Sequence, residues 1–287
     1  MAYFLFADER HDSLLPFTYT RNAFDLRCGI FTFAERWREA LGGAPAILPH
    51  LHLKELYPAA SYAGTHIWIN GLTIPTPEML RLLTEIPPGT YAHGTDGLVY
   101  AAHMALDSLP AAREGLLTRE WFAASGLKAM QVELPPMPTV TQLPDLFRLN
   151  AEMIRFDFPF ATAKASSEKI TDPHTRLYGA DNIYVAPGVQ VKAAIIDAEN
   201  GPVYLGPNVQ IQPGAVIQHT HAFGPNSVVN VGAKLRGDSS FGPYVKVGGE
   251  IGNSVIMATA TRGMKATWVT RSLAIGVIWG RTPTRPI

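Results

Sequence analysis

The chain has 287 residues and balances 24 Lys and Arg against 24 Asp and Glu, so it carries no bulk basic field to draw in nucleic acid. With 47% hydrophobic and 17% charged residues it has the material for one large core or two ordinary ones, which excludes wholesale disorder. No apolar run approaches the roughly 18 residues of a membrane span and no basic-then-apolar leader opens the chain; a soluble, cytoplasmic protein with no membrane and no nucleic-acid partner is expected.

The first segment reads as α/β. Tyr3–Ala7 is an apolar run suited to a buried strand, broken by the polar run Asp8–Ser13. Phe31–Leu41 has helical spacing, with Phe33, Trp37 and Leu41 four apart, and Gly42-Gly43 ends it. Ile67–Asn70 suits a second buried strand running into Gly71, Pro77–Ile86 a helix with Pro in its first turn, and Gly97–Met104 a strand. Glu133–Pro144 has four prolines in twelve residues, a linker composition, and Asp145–Phe156 reads as a helix. The single cysteine, Cys28, excludes an internal disulfide and any multi-cysteine metal site.

Beyond residue 180 the period changes to six. Leu205, Ile211, Ile217, Phe223, Val229, Leu235, Phe241 and Val247 follow one another at that interval. Four residues after each stands a mostly small or β-branched residue, from Val209 and Ala215 to Val245 and Ile251. Val185, Val189, Val191 and Ile195 show the same pattern out of phase, which places an insertion near Asn200-Gly201-Pro202. A six-residue repeat gives one short strand and one turn per flat face of a parallel β-helix, with the large apolar residue inside. A β-sandwich is the alternative, but its strands recur every 8 to 12 residues or so. His219 and His221 form a His-x-His pair that alternation puts on one side of a strand, either as two metal ligands or as a hydrogen-bonded pair near a coil corner.

The hexapeptide ladder resembles that of the left-handed β-helix acyltransferases. The whole chain is similar to the bacterial sugar nucleotidyltransferase family related to the bifunctional N-acetylglucosamine-1-phosphate uridylyltransferase and glucosamine-1-phosphate acetyltransferase. The residues that carry this are Leu14-Leu15-Pro16-Phe17-Thr18-Tyr19-Thr20-Arg21, Asp25-Leu26-Arg27-Cys28-Gly29-Ile30, Trp68-Ile69-Asn70-Gly71, Asn150 with Ile154-Arg155-Phe156-Asp157, and Lys246-Val247-Gly248-Gly249-Glu250 with Asn253-Ser254-Val255-Ile256. The resemblance implies an α/β nucleotidyltransferase-like domain over 1–144, a helix and linker over 145–180, and a left-handed parallel β-helix of hexapeptide repeats over 181–257.

It also implies a nucleoside triphosphate and a sugar 1-phosphate as substrates, with Mg²⁺ and basic side chains spreading the charge of the transferred phosphate. Arg21 and Arg27 are the cations best matched to that role; the other reading pairs them structurally with Asp25 or Glu35. Asn70 and Gly71 are further nucleotide- and phosphate-binding candidates, and Lys246 and Glu250 are sugar- or acyl-site candidates. Two departures bear on the chemistry. Asp8–Ser13 contains no glycine where the family has a phosphate-cradling Gly-rich loop, and Asn70 stands where a metal-binding Asp is expected. A homotrimer is implied as well. The alternative function is a non-catalytic trimeric β-helix scaffold that binds a nucleotide or sugar without turning it over.

The ladder stops after Met257. Ala258–Ile287 holds five of the 24 basic residues and none of the acidic ones, which leaves 19 against 24, a net of minus five, over 1–257. A one-nucleotide slip in a G-run at the Met257 codon restores period six and the family's continuation on back-translation. The constrained codons of Met264-Lys265, Trp268-Val269 and Trp279-Gly280 all fall into place. The hypothesis is that 258–287 is a frameshifted, non-native tail, and resequencing across Met257 tests it. An uninterrupted G-run encoding the present tail refutes it. In that reading the general-base histidine of acyl transfer is replaced by Met264, whose thioether cannot take the proton. Productive use of acetyl-CoA is then lost, and the last coil ends in unpaired strand edges.

Overall fold

The computed structural model describes residues 2–57, 60–108, 115–257 and the strand Val277–Trp279. It divides into two compact units, Met1–Leu26 with Phe31–Leu143, and Arg27–Ile30 with Pro144–Ile287.

The first unit runs β1 (Tyr3–Phe6), α1 (Arg10–Ser13), α2 (Phe33–Leu41), β2 (Ala46–Ile47), β3 (His66–Asn70), α3 (Pro77–Glu85), β4 (Thr90–His93), β5 (Val99–Met104), α4 (Arg119–Ala124) and β6 (Lys128–Gln131). Among the described residues these strands form a six-stranded mixed sheet in the order β2-β1-β3-β5-β4-β6. The β1 strand is parallel to both neighbours, in register Phe4↔Ala46 and Phe4↔Trp68, so the chain reverses its direction of winding there. One face of the sheet buries Phe4, Phe6, Trp68, Met104 and Phe122, with Phe4 stacked on Trp68 at 4.6 Å between ring centroids.

Local signals set the helix ends. Thr32 and Glu35 form a reciprocal capping box, so α2 begins at Phe33, two residues inside the predicted start, and Gly42 at φ 68° closes it. The polar run after β1, read as a break, contains the single turn of α1.

The second unit contains α5 (Leu143–Arg148), α6 (Asn150–Thr162) and the short strands β7 (Arg176–Tyr178), β8 (Ile183–Val185), β9 (Gln190–Val191), β10 (Ile195–Asp197), β11 (Val203–Leu205), β12 (Gln210–Ile211), β13 (Val216–Gln218), β14 (His221–Phe223), β15 (Val228–Val229), β16 (Lys234–Arg236), β17 (Ser239–Phe241), β18 (Lys246–Val247), β19 (Glu250–Gly252) and β20 (Ser254–Ile256), then β21 (Val277–Trp279). The one predicted helix from Asp145 is two, broken at Leu149.

Strands β7 to β20 wind into a parallel β-helix with three sheets, β8-β11-β14-β17-β20, β9-β12-β15-β18 and β7-β10-β13-β16-β19. The six-residue period is the passage from one face to the next. Three positions of the ladder make one coil, so Leu205, Phe223 and Phe241 stack in register on the first face, Ile211, Val229 and Val247 on the second, and Ile217 and Leu235 on the third. Most of these side chains have no exposed surface. At roughly 25 cal/mol per Å² of apolar area, such continuous burial is what holds coils that could not fold singly. The inserted residues lie in the longer turn between β10 and β11.

Two expectations change. His219 sits in a left-handed turn at φ 68°, outside the strand, so strand alternation does not apply to it. His221 is fully buried, stacked on Phe223 and Phe241 at 5.9 and 6.3 Å. The end of the first face is not bare either: β21 pairs antiparallel with β20, in register Val255↔Ile278. The rest of 258–287, Met264 included, lies outside the described residues. Among the described residues no helix is long and apolar enough to cross a membrane.

Candidate functional site

In open α/β sheets ligands gather where strand order reverses, beyond the carboxyl ends of the strands. In the first unit those ends belong to β1 and β3, and they deliver Asp8, Arg10, Asn70 and Gly71. Asp8, Arg10 and Asn70 are buried. Arg10 Nε donates to both Asp8 oxygens at 3.0 and 2.9 Å, and Nη2 donates to Asp8 Oδ2 at 2.7 Å and to Asn70 Oδ1 at 2.9 Å. Asn70 Nδ2 donates to Asp8 Oδ2 at 2.7 Å and to the Val99 carbonyl at 2.8 Å. Burial pushes the Asp8 carboxyl up, but the Arg10 charge and the hydrogen bonds outweigh it and hold it below the usual carboxylate range. Gly71 extends the ladder by donating to the Phe6 carbonyl at 2.9 Å. A Cβ there would stand 2.3 Å from the Phe24 ring, so packing alone requires glycine.

A second polar cluster lies on the segment after α1, with Arg21 and Asn22 between short 3-10 turns at Phe17–Tyr19 and Ala23–Asp25 and with Asp25 ending the second. The Tyr57 hydroxyl accepts from the Asn22 backbone N–H at 2.9 Å and donates to Asp25 Oδ2. Asn22 Oδ1 accepts from the His50 N–H at 3.2 Å. His50 and His52 meet Nδ1 to Nδ1 at 2.6 Å, His52 Nε2 reaches the Tyr19 carbonyl at 3.1 Å, and His11 stacks on His50 at 4.5 Å. A neutral His52 that donates from Nε2 to that carbonyl must accept at Nδ1, which makes His50 the Nδ1–H tautomer.

Burial pushes Asp25 up to about 6, against the Tyr57 hydrogen bond and the Arg21 charge, with Glu35 adding to the rise. Tyr57 is also pushed up, by burial and by Asp25. Burial pulls Arg21 down, while Asp25 and Tyr57 oppose it. Protonating Asp25, which is pushed up to about 6, removes a negative charge beside the partly buried Arg21 guanidinium and makes its surroundings more favourable to an anion. Among the described residues no group of three or more His, Cys, Asp or Glu is arranged to hold a metal.

The structure groups Arg21 with Asp25 in this cluster. Arg27 is elsewhere: it belongs to the second unit, is buried, and donates from Nη1 to the Ile30 carbonyl. The rest of that motif is held by α6. Asn150 Oδ1 accepts from the Gly29 N–H at 2.8 Å and from Ser240 Oγ at 2.9 Å, and Asp157 Oδ2 accepts from the Ile30 N–H at 2.9 Å. Ser240 lies on the outer side of β17, and its hydroxyl also reaches the Gly29 carbonyl at 2.8 Å. Lys246 and Glu250 are both exposed but stand on different faces of the β-helix, on β18 and β19, and Glu250 pairs with Arg236 at 3.3 Å. Asp8, Arg10, Asn22, His50, His52 and Tyr57 escaped the sequence reading. Asp25 was in the quoted motif, but its partner is 32 residues away.

The model of the sugar nucleotidyl transferase family matches residues 3–166. No curated protein gives a match to the chain.

Proposed function

Since the chain belongs to the sugar nucleotidyl transferase family, we propose that its first unit takes a nucleoside triphosphate and a sugar 1-phosphate and joins them into a nucleotide sugar of the UDP-N-acetylglucosamine kind. In that reaction a phosphate oxygen of the sugar 1-phosphate attacks the α-phosphorus, the bond to the β-phosphate oxygen breaks, and pyrophosphate leaves. The observation that carries the reading is Arg21, a partly buried guanidinium in the family-matched segment, held beside an Asp25 whose carboxyl titrates near pH 6. Arg21 would bind the phosphate through two donors and offset its charge, and protonation of Asp25 would remove a neighbouring negative charge that repels the anion. On this reading the protein would work in the cytoplasm, where such substrates would be met. The β-helix would serve as a trimerisation scaffold. Acetyl-CoA would not be used productively while Met264 stands at the general-base position.

The family resemblance implies Mg²⁺, but the donor set at β1 and β3 does not fit it. The Asp8 and Asn70 oxygens that would face the ion already accept from Arg10, Asn70 and the Leu72 N–H. This favours a second reading, binding of the nucleotide or sugar phosphate without turnover. Incubating the chain with nucleoside triphosphates and sugar 1-phosphates and assaying pyrophosphate separates the two. Release that falls in Arg21→Ala supports the first reading. Calorimetric binding with no pyrophosphate supports the second, and no binding at all sinks both.

A further inference from the structure

The ends of β1 and β3 contain a cation already, and it is covalently part of the chain. Asp8 Oδ2 and Asn70 Oδ1 converge on a single nitrogen, Arg10 Nη2, at 2.7 and 2.9 Å. The rest of the guanidinium completes the enclosure, with Nε on both carboxylate oxygens and Nη1 on the Val140 carbonyl at 3.3 Å. Counting acceptor capacity shows that the set is closed. Asp8 Oδ1 accepts from the Arg10 backbone N–H and Nε, and Oδ2 from Nε, Nη2 and Asn70 Nδ2. Asn70 Oδ1 accepts from Arg10 and from the Leu72 N–H, and both of its amide hydrogens are donated.

Asp8, Arg10 and Asn70 are 4%, 8% and 0% exposed, so water cannot rescue a displaced partner. A divalent ion needs near-octahedral oxygens with several waters retained, and here it would have to evict a buried guanidinium from the Asp8 carboxylate it is paired with.

We propose that Arg10 is the resident cation of this end of the sheet, holding the position between Asp8 and Asn70 that a divalent ion would take, so that the first unit holds phosphate-bearing ligands without a divalent ion there. The ligand clause rests on the proposed function; the cation clause does not. The test therefore begins without any phosphate ligand. The full chain is titrated with Mn²⁺ and free ion is followed by electron paramagnetic resonance. The wild type should leave the Mn²⁺ signal undiminished, while Arg10→Met combined with Asn70→Asp, which exposes two carboxylates, should gain one bound equivalent.

One equivalent bound by the wild type and lost in Asp8→Asn overturns the proposal. Absence of binding in both wild type and a folded double variant also overturns it, because Arg10 would then not be what fills a cation position. If the double variant does not fold, the wild-type titration decides alone. For the ligand clause, calorimetry with a sugar 1-phosphate should give the same affinity in excess EDTA as in excess Mg²⁺. Affinity that disappears in EDTA overturns that clause, whatever the Mn²⁺ result.

Discussion

Tyr57 donates its phenolic hydrogen to Asp25, a carboxyl that burial has pushed up to about 6. The folded state therefore binds a proton more tightly than the unfolded chain between about pH 4 and pH 6, so stability from this group is full below that window and is lost as pH rises through it. The loss is of order 2 to 3 kcal/mol, at 1.36 kcal/mol per unit. Asp25→Asn, which keeps an acceptor for Tyr57, should abolish the slope and raise the stability of the first unit at pH 7. Denaturant unfolding at pH 4.5 and pH 7 measures both.

His221 has the opposite sign. Burial pulls it down to about 4, and its Nε2 finds no hydrogen-bond partner among the described residues. The unfolded chain takes up a proton as pH falls from about 6.5 to about 4, the folded β-helix does not, and its stability drops over that range by about 3 kcal/mol. Val203 occupies the register position before His221, so His221→Val has a precedent inside the solenoid. It should remove the acid sensitivity, with a change at pH 7 of about 1 kcal/mol or less. Acid titration followed by far-ultraviolet circular dichroism checks this; a variant that melts at the same pH as the wild type would refute it.

Gly29→Ala should cost the second unit about 2 to 4 kcal/mol. Gly29 adopts φ 96°, and an added Cβ would stand 2.4 Å from Asp157 Oδ2 and 3.0 Å from the Met153 backbone. Chemical denaturation of the full chain should show the transition of the second unit moving to lower denaturant.

Tyr244 holds φ 60° at the turn position where the two preceding coils place Asn208 and Asn226, whose side chains bond at 3.3 Å. A bulky residue in the left-handed region is strained, whereas asparagine tolerates it. Tyr244→Asn should stabilise the β-helix by about 1 kcal/mol, seen as a higher thermal midpoint. No gain would mean that the 79% exposed ring is not a burden on the fold.

The solenoid was legible because its period is imposed by geometry at every coil: Leu205, Phe223 and Phe241 repeat whatever surrounds them. The strands of the first unit were legible for the same local reason, as apolar runs bounded by Gly and Pro. The candidate site was legible only in part. Arg21 and Asp25 lie four residues apart, but Tyr57, Asn70 and Val140 are brought in by tertiary folding from positions that no spacing rule connects. Asp8 to Ser13 was noticed for its missing glycines, yet nothing in that run announces that Arg10 turns back onto Asp8 and across to a strand 60 residues later. Arg27 shows the converse. Its neighbourhood in sequence suggested a phosphate, whereas its neighbourhood in space is the second unit.

That placement constrains how the gene can change. Residues 27–30 are synthesised early, but the groups that hold Gly29 and Ile30, namely Asn150, Asp157 and Ser240, emerge from the ribosome more than a hundred residues afterwards. The solenoid cannot be excised at the proline-rich linker as a cassette and joined to another partner without leaving behind the tetrapeptide that Asn150 was built to grip. The solenoid must therefore be inherited together with the segment that precedes it, and recombination at the linker should leave the second unit without part of itself.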